Sequence, residues 1–247
     1  MPLREAKKLD AKRLPIVTID GPAGAGKSTA ARWLAYTLSF KLIDTGALYR
    51  SLAVQAIERG IPLDDESQLA ELCSKLKFQF GGLELPAHSD NDSVPQIRIY
   101  CNGIDVTESI RTPEMGMAAS NVSKLPAVRQ ALLQVQRDFG AEGGIVMEGR
   151  DIGTVIFPEA EIKFYLEASI EKRAARRQLE LEQVGVKLPL EHILKETQTR
   201  DEQDMNRNIA PLKKATDAIS IDSTSKSFDE VVSEMALRVR DYLRKHG

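Results

Sequence analysis

The residues Gly21-Pro22-Ala23-Gly24-Ala25-Gly26-Lys27-Ser28 follow the spacing G-x-x-x-x-G-K-S. Glycines in such a run let successive backbone N–H groups turn inward around phosphate oxygens without Cβ clashes. Lys27 is then placed to neutralise β- and γ-phosphates, and the Ser28 hydroxyl to ligate Mg²⁺ bridging them. The pattern counts as a P-loop only where an apolar strand leads in and a helix leads out. Both conditions hold, because residues 14–19 are largely apolar and stop at Asp20-Gly21, while 27–38 read as a helix whose N-terminal dipole favours an anion.

A P-loop alone does not separate kinases from motors, GTPases or transporter ATPases, so the reaction must be read from other residues. Asp44-Thr45-Gly46-Ala47-Leu48-Tyr49-Arg50 lies where a second strand passes into a helix, and Glu148-Gly149-Arg150-Asp151-Ile152-Gly153 follows a third strand. Both fall at the carboxyl edge of a parallel sheet, where ligands bind. Arg150 can fork onto a phosphate. Glu148 stands where many P-loop proteins keep an acid that assists Mg²⁺, with a strand-end salt bridge as the alternative. Arg173, Arg176 and Arg177 share one helix face, and Arg200, Asp204 and Arg207 another. Charge runs of this kind are usually solvated, and Tyr49 and Arg50 are residue types common on helix surfaces. Here the chain is nearly neutral and concentrates Arg rather than Lys at these points, which suits planar, multiply charged phosphates.

The elements that must position these groups alternate. Strands at 14–19 and 40–43 each precede a helix, at 27–38 and 47–58, and Gly60-Ile61-Pro62 stops the second. The rhythm resumes with strands at 145–148 and 162–166, helices at 169–182 and 190–206 separated by a break at 184–188, a strand at 218–221, and a C-terminal helix opened by the capping box Ser227-Phe228-Asp229-Glu230. This is a doubly wound parallel α/β sheet. Between the halves the period changes. A short helix at 69–76, alternating strands at 77–80 and 97–100, a polar loop at 86–92 and the hairpin signal Asn102-Gly103 before 104–106 make residues 72–111 a small antiparallel insert. Pro126 opens a further helix over 126–139.

Composition narrows the setting. The 247 residues suffice for one α/β domain over 14–247, preceded by a charged tail at 1–13, and 34 Lys+Arg against 36 Asp+Glu give a net charge of -2. That balance offers no bulk attraction to nucleic acid or an anionic membrane, no run approaches the roughly 18 apolar residues of a bilayer span, and no signal-peptide core opens the chain. Cys73 and Cys101 are too few for a disulfide framework and read as small buried hydrophobes. We expect a cytoplasmic monomer.

Taken together, Ile19-Asp20-Gly21-Pro22, Asp44 through Arg50, Ile110-Arg111-Thr112, Glu148 through Val155, and Arg200-Asp201 through Asp204 to Asn206-Arg207 resemble the bacterial cytidylate kinases over nearly the whole chain. Thr45 stands where some members have Ser, and Glu148 where many have Asp. The resemblance implies transfer of the γ-phosphate of ATP, as its Mg²⁺ complex, to CMP or dCMP in pyrimidine metabolism. It implies that Gly21 to Ser28, with Thr29, hold ATP, that Ser28 ligates the metal, and that Lys27, Arg150 and Arg207 are catalytic. It assigns Arg50, Arg150 and Arg207 to the acceptor phosphate, Arg200 with Asp204 to the sugar, Tyr49 to the base site, and Thr45, Ser120, Arg129 and Asp151 to cytosine. The insert becomes a monophosphate-binding lobe. A helical lid at about 173–200 carries Arg173, Arg176 and Arg177, of which Arg173 and Arg177 are assigned to ATP. Against this stand a uridylate or other small-metabolite kinase, which lies in the same class, and a nucleotide switch or nucleic-acid ATPase. The switch lacks a guanine-specifying Asn-Lys-x-Asp, and the ATPase lacks a basic face.

Overall fold

The computed structural model describes residues 13–86, 93–183 and 185–246. The tail over 1–12, most of the polar loop at 86–92, and Val184 in the predicted break lie outside the described residues. The central sheet is built from β1 (Ile16–Asp20), β2 (Lys41–Asp44), β6 (Ile145–Glu148), β7 (Ile162–Glu167) and β8 (Ile219–Asp222), in the order β2-β6-β1-β7-β8. All four pairings are parallel. β1 is therefore central, and its carboxyl end lies where the chain winds off in both directions, the point at which such sheets open a ligand crevice.

The predicted insert is a separate sheet of β3 (Phe78–Glu84), β4 (Gln96–Cys101) and β5 (Ile104–Asp105), paired antiparallel in that order. Asn102 and Gly103 both take positive φ, 51° and 79°, as the turn between β4 and β5 demands. Its inner residues Phe78, Ile97 and Ile99 are buried in the same apolar cluster as Val17, Leu34 and Leu48, so insert and main sheet share one core. The helices α1 (Lys27–Leu38), α2 (Thr45–Glu58), α3 (Glu66–Lys75), α5 (Pro126–Phe139), α6 (Ile170–Gln183), α7 (Leu190–Asn206) and α8 (Phe228–His246) fall at the expected places. The capping box at Ser227 closes reciprocally, the Ser227 N–H donating to the Glu230 carboxylate at 2.7 Å and the Glu230 N–H to the Ser227 hydroxyl at 3.2 Å.

Helix α4 (Pro113–Val122) and a π-helical turn were not anticipated. The helix has a weak apolar stripe interrupted by Gly116, Ser120 and Asn121, and is started instead by Thr112 accepting the Met115 N–H. Ile152–Ile156 forms a π-helical turn directly after Arg150-Asp151. Such turns have no sequence period and recur at functional sites. Among the described residues no helix is long and apolar enough to cross a membrane.

Candidate active site

The P-loop side grows from the end of β1. Gly21 has φ 147°, and a Cβ there would stand 1.9 Å from the Leu166 carbonyl oxygen on β7, so only glycine lets the chain leave the sheet at this point. Lys27 opens α1, is buried, and donates from Nζ to the Pro22 carbonyl at 2.7 Å. Burial, joined by the charge of Arg150, lowers its ammonium to about 7, against the pull of Glu148 and Asp204. Burial and nearby Asp44 raise the Glu148 carboxyl, against the influence of Lys27 and Ser28. Glu148 thus faces the loop instead of a surface cation. Asp20 accepts the N–H groups of Ile152 at 2.9 Å and Gly153 at 2.7 Å, which fastens the π-helical turn to the start of the loop. Burial pushes Asp20 up to about 6 despite those two bonds.

The opposite side is a lattice of arginines held by carboxylates. Asp44 caps α2 through the Ala47 N–H at 3.0 Å and takes Arg50 at 2.7 Å. Although burial disfavours its charge, Arg50 and the cap hold the Asp44 carboxyl below the usual range. Arg150 donates from Nε to Asp204 at 2.8 Å. Asp151 pairs through Oδ2 with Arg129 and through Oδ1 with Arg207 at 3.4 Å. Arg129 also lies over the buried Tyr49 ring, 5.9 Å from its centroid. The Thr45 hydroxyl donates to the Glu148 carbonyl at 2.8 Å, so its lone pairs are what it can offer a ligand. Arg200, whose guanidinium is lowered to about 10 by burial and by Arg150, makes no ion pair among the described residues.

Both sides open into one cleft of ≈ 1410 Å³. The loop from Ala23 to Thr29 lines it, opposite Thr45, Tyr49, Arg50, Ser120 and Arg129. Arg150, Asp151, Arg200, Asp204 and Arg207 complete the wall, with Arg173 and Arg177 at the α6 end. Gly21 and Pro22 underlie the cleft without lining it. Two placements differ from the helical-face argument. Arg207 lies just past the last residue of α7, its Nε donating to the Ala210 carbonyl at 2.5 Å. The α6 arginines diverge: Arg177 is exposed beside Glu180 at 3.1 Å, and Arg176 donates to the Ser223 carbonyl at 2.8 Å. Arg173 is buried, and its guanidinium is engaged by protein oxygens of Ala23, Ala168 and Asp201.

Sequence reasoning gave no role to Asp20 or to Asp44, although Asp44, an acid just before a helix, carries a capping signal. It also passed over Arg32 on α1. Burial and Arg111 depress the Arg32 guanidinium, and Asp44, Glu148 and Arg50 act on it too. Nothing in the periodicity of α1 marks it.

Residues 17–241 match the family model described as cytidylate kinase. The chain is 47% identical over 228 residues to a cytidylate kinase of Geobacter sp. (strain M21), covering 92% of this chain and 94% of that one. It is 45% identical to a cytidylate kinase of Pasteurella multocida (strain Pm70), covering 92% and 96% respectively. A bifunctional pantoate ligase/cytidylate kinase of Synechococcus sp. (strain JA-2-3B'a(2-13)) is 43% identical over 95% of this chain, a match that takes in 42% of that longer protein.

Proposed function

The chain belongs to the cytidylate kinase family, and from that premise we propose how its cleft moves the γ-phosphoryl group of ATP to CMP or dCMP, giving ADP and CDP or dCDP. The observation that carries the reading is the polarity of the acceptor face. Cytosine presents a 4-amino donor together with acceptors at N3 and O2. Thr45, its proton committed to the Glu148 carbonyl, offers an acceptor, as does Asp151, and Arg129 offers donors. Uracil reverses the pattern at N3 and O4, and a reversed pattern leaves buried groups unpaired, which is the strong form of discrimination. Tyr49 lines the base site, Ser120 adds a hydroxyl, and Arg200 with Asp204 contacts the sugar.

An oxygen of the acceptor phosphate attacks Pγ. The new O–Pγ bond forms as the bridge from Pγ to the β-phosphate oxygen breaks, and that electron pair leaves on ADP. The attacking oxygen is already an anion, so no general base is assigned. Lys27, Arg150 and Arg207, with Arg50, offset repulsion between the two polyanions and stabilise charge on the transferring group. The α6–α7 lid, about 173–200, excludes water, and the insert at 72–111 frames the acceptor.

Ser28 and Glu148 form a hard-oxygen pair that suits Mg²⁺, which takes few protein ligands and mostly phosphate and water. Ser28 would hold the ion directly, with Glu148 behind it. Bound there, Mg²⁺ supplies charge neutralisation at the β- and γ-phosphates. We assign the working state to a cytoplasmic monomer, since one chain supplies both halves of the cleft and its buried thiols Cys73 and Cys101 are unbridged.

Coupled ADP release with ATP and each of CMP, dCMP, UMP, AMP and shikimate tests the reading. CMP and dCMP should be the best acceptors. Release stimulated by nucleic acid, with none of the five acceptors active, would sink it.

A further inference from the structure

We infer that Asp201 is a positioning residue for the triphosphate loop, acting through Arg173 to tie the acceptor-bearing helix α7 to the Ala23 carbonyl. The Arg173 guanidinium has its three directions taken by three segments. Nη1 donates to the Ala23 carbonyl in the loop at 3.1 Å, Nε to the Ala168 carbonyl ahead of α6 at 3.0 Å, and Nη2 meets Asp201 Oδ2 on α7 at 2.6 Å. Both residues are 6% exposed, so the link is shielded from solvent screening. The backbone closes on it as well, since a Cβ on Gly24 would stand 3.1 Å from Arg173 Cβ and 3.2 Å from the Arg173 carbonyl oxygen.

Asp201 lies between Arg200 and Asp204 on α7, the two residues that meet the acceptor in the reading above, on which this inference rests. Its own carboxylate does not line the cleft. Its second oxygen, Oδ1, is buried with no hydrogen-bond donor among the described residues, so Arg173 alone anchors the group. A shift of α7 around the acceptor is thereby carried through one ion pair to the backbone that cradles the donor phosphates. A planar guanidinium can serve three such directions at once, whereas an ammonium on a flexible stem cannot hold them as one rigid unit. Arg173 is accordingly a brace of the loop.

The test uses the full-length protein and measures, by titration calorimetry, the affinity of the Mg²⁺ complex of a non-hydrolysable ATP analogue and, separately, of CMP. Asp201→Asn keeps the shape and removes the charge. It should weaken the ATP analogue roughly tenfold, the loss of one charge-assisted bond. CMP affinity should stay within about twofold, even though Arg200 and Asp204, close to it on α7, are acceptor contacts in that reading. Arg173→Lys, which retains the cation but loses the fork, should weaken the analogue alike, and the double variant should be no worse than either single one. Unchanged analogue affinity in either variant, an equal loss for CMP, or additive losses would overturn the inference. If Asp201→Asn fails to fold, Arg173→Lys decides. Failure of the acceptor reading is seen separately, as absence of CMP binding in the unaltered protein.

Discussion

The proposed donor loop is a run of consecutive residues whose capacity for phosphate lies in its backbone N–H groups, whereas the proposed acceptor face draws Thr45, Arg50, Arg129, Asp151 and Arg207 from segments scattered along the chain. The loop is held by backbone geometry, as at Gly21, where the Leu166 carbonyl leaves no room for a Cβ. The acceptor face is held by ion pairs: Asp44 with Arg50, Asp151 with Arg129 and Arg207, Asp204 with Arg150. Each carboxylate pre-orients a guanidinium and offsets the cost of burying it. On the proposed reading, a substitution on the donor side removes charge stabilisation from the reaction itself. One on the acceptor side strands a buried partner and alters what is accepted.

Lys27→Ala should give the largest effect. Losing a preorganised donor to the transferring group should lower turnover at least ~100-fold, while the protein stays folded and CMP affinity, read by calorimetry, stays near that of the parent. Near-normal turnover, or a CMP affinity that collapses with the rate, would erase the distinction between the halves.

Asp151→Asn should come next. Arg129 and Arg207 would lose a shared carboxylate, and an amide can present N–H to uracil O4 where the carboxylate could only accept. We expect kcat/KM for CMP to fall roughly 10–100-fold and the preference for CMP over UMP to shrink, with KM for ATP little changed. A rise in KM for ATP as large as that for CMP would show that the two halves are not separable.

The same contrast explains what could be read from the sequence. A contiguous loop between an apolar strand and a helix is a local pattern, and local patterns survive in one dimension. So did the parallel strands, the hairpin at Asn102-Gly103 and the cap at Ser227. The acceptor arginines were noticed as clusters, yet their roles came only from resemblance to a family, because the pairing of Arg129 with Asp151 or of Arg150 with Asp204 is set by the tertiary fold. Arg173, Arg176 and Arg177 show the limit most directly. Their spacing puts them on one face of a helix, but what each guanidinium meets depends on neighbouring segments: Ala23 and Asp201 for the first, Ser223 for the second, solvent and Glu180 for the third. Helix α4 and the π-helical turn were missed because a threonine cap and a widened turn carry no apolar period.

The smallest predicted effect probes the joint between the halves. The Asp20 carboxylate receives the Ile152 and Gly153 N–H groups and so sets the turn that follows Arg150-Asp151, with Lys27 and Asp151 the charges acting on it. Its folded pKa is raised from 3.8 to about 6, so between those values the folded protein binds the proton and the unfolded chain does not. Asp20 therefore contributes stability that is fully present below its unfolded pKa and is lost as pH rises through about 6. Activity should move the other way, because a protonated acid turns one acceptor oxygen toward the N–H pair as a hydroxyl. The acceptor's own phosphate ionises near pH 6 as well, so a pH profile of one protein is ambiguous. The ratio of two proteins is not. Asn imitates the protonated acid, and Asp20→Asn should fall about fivefold below the parent in kcat/KM for CMP at pH 8, the worth of one hydrogen bond, and converge with it near pH 5. Its thermal midpoint should do the reverse, exceeding that of the parent at pH 8 and approaching it at pH 5. An activity ratio that stays flat with pH would mean that the turn is held without Asp20, and that donor and acceptor sides meet only through the bound phosphates.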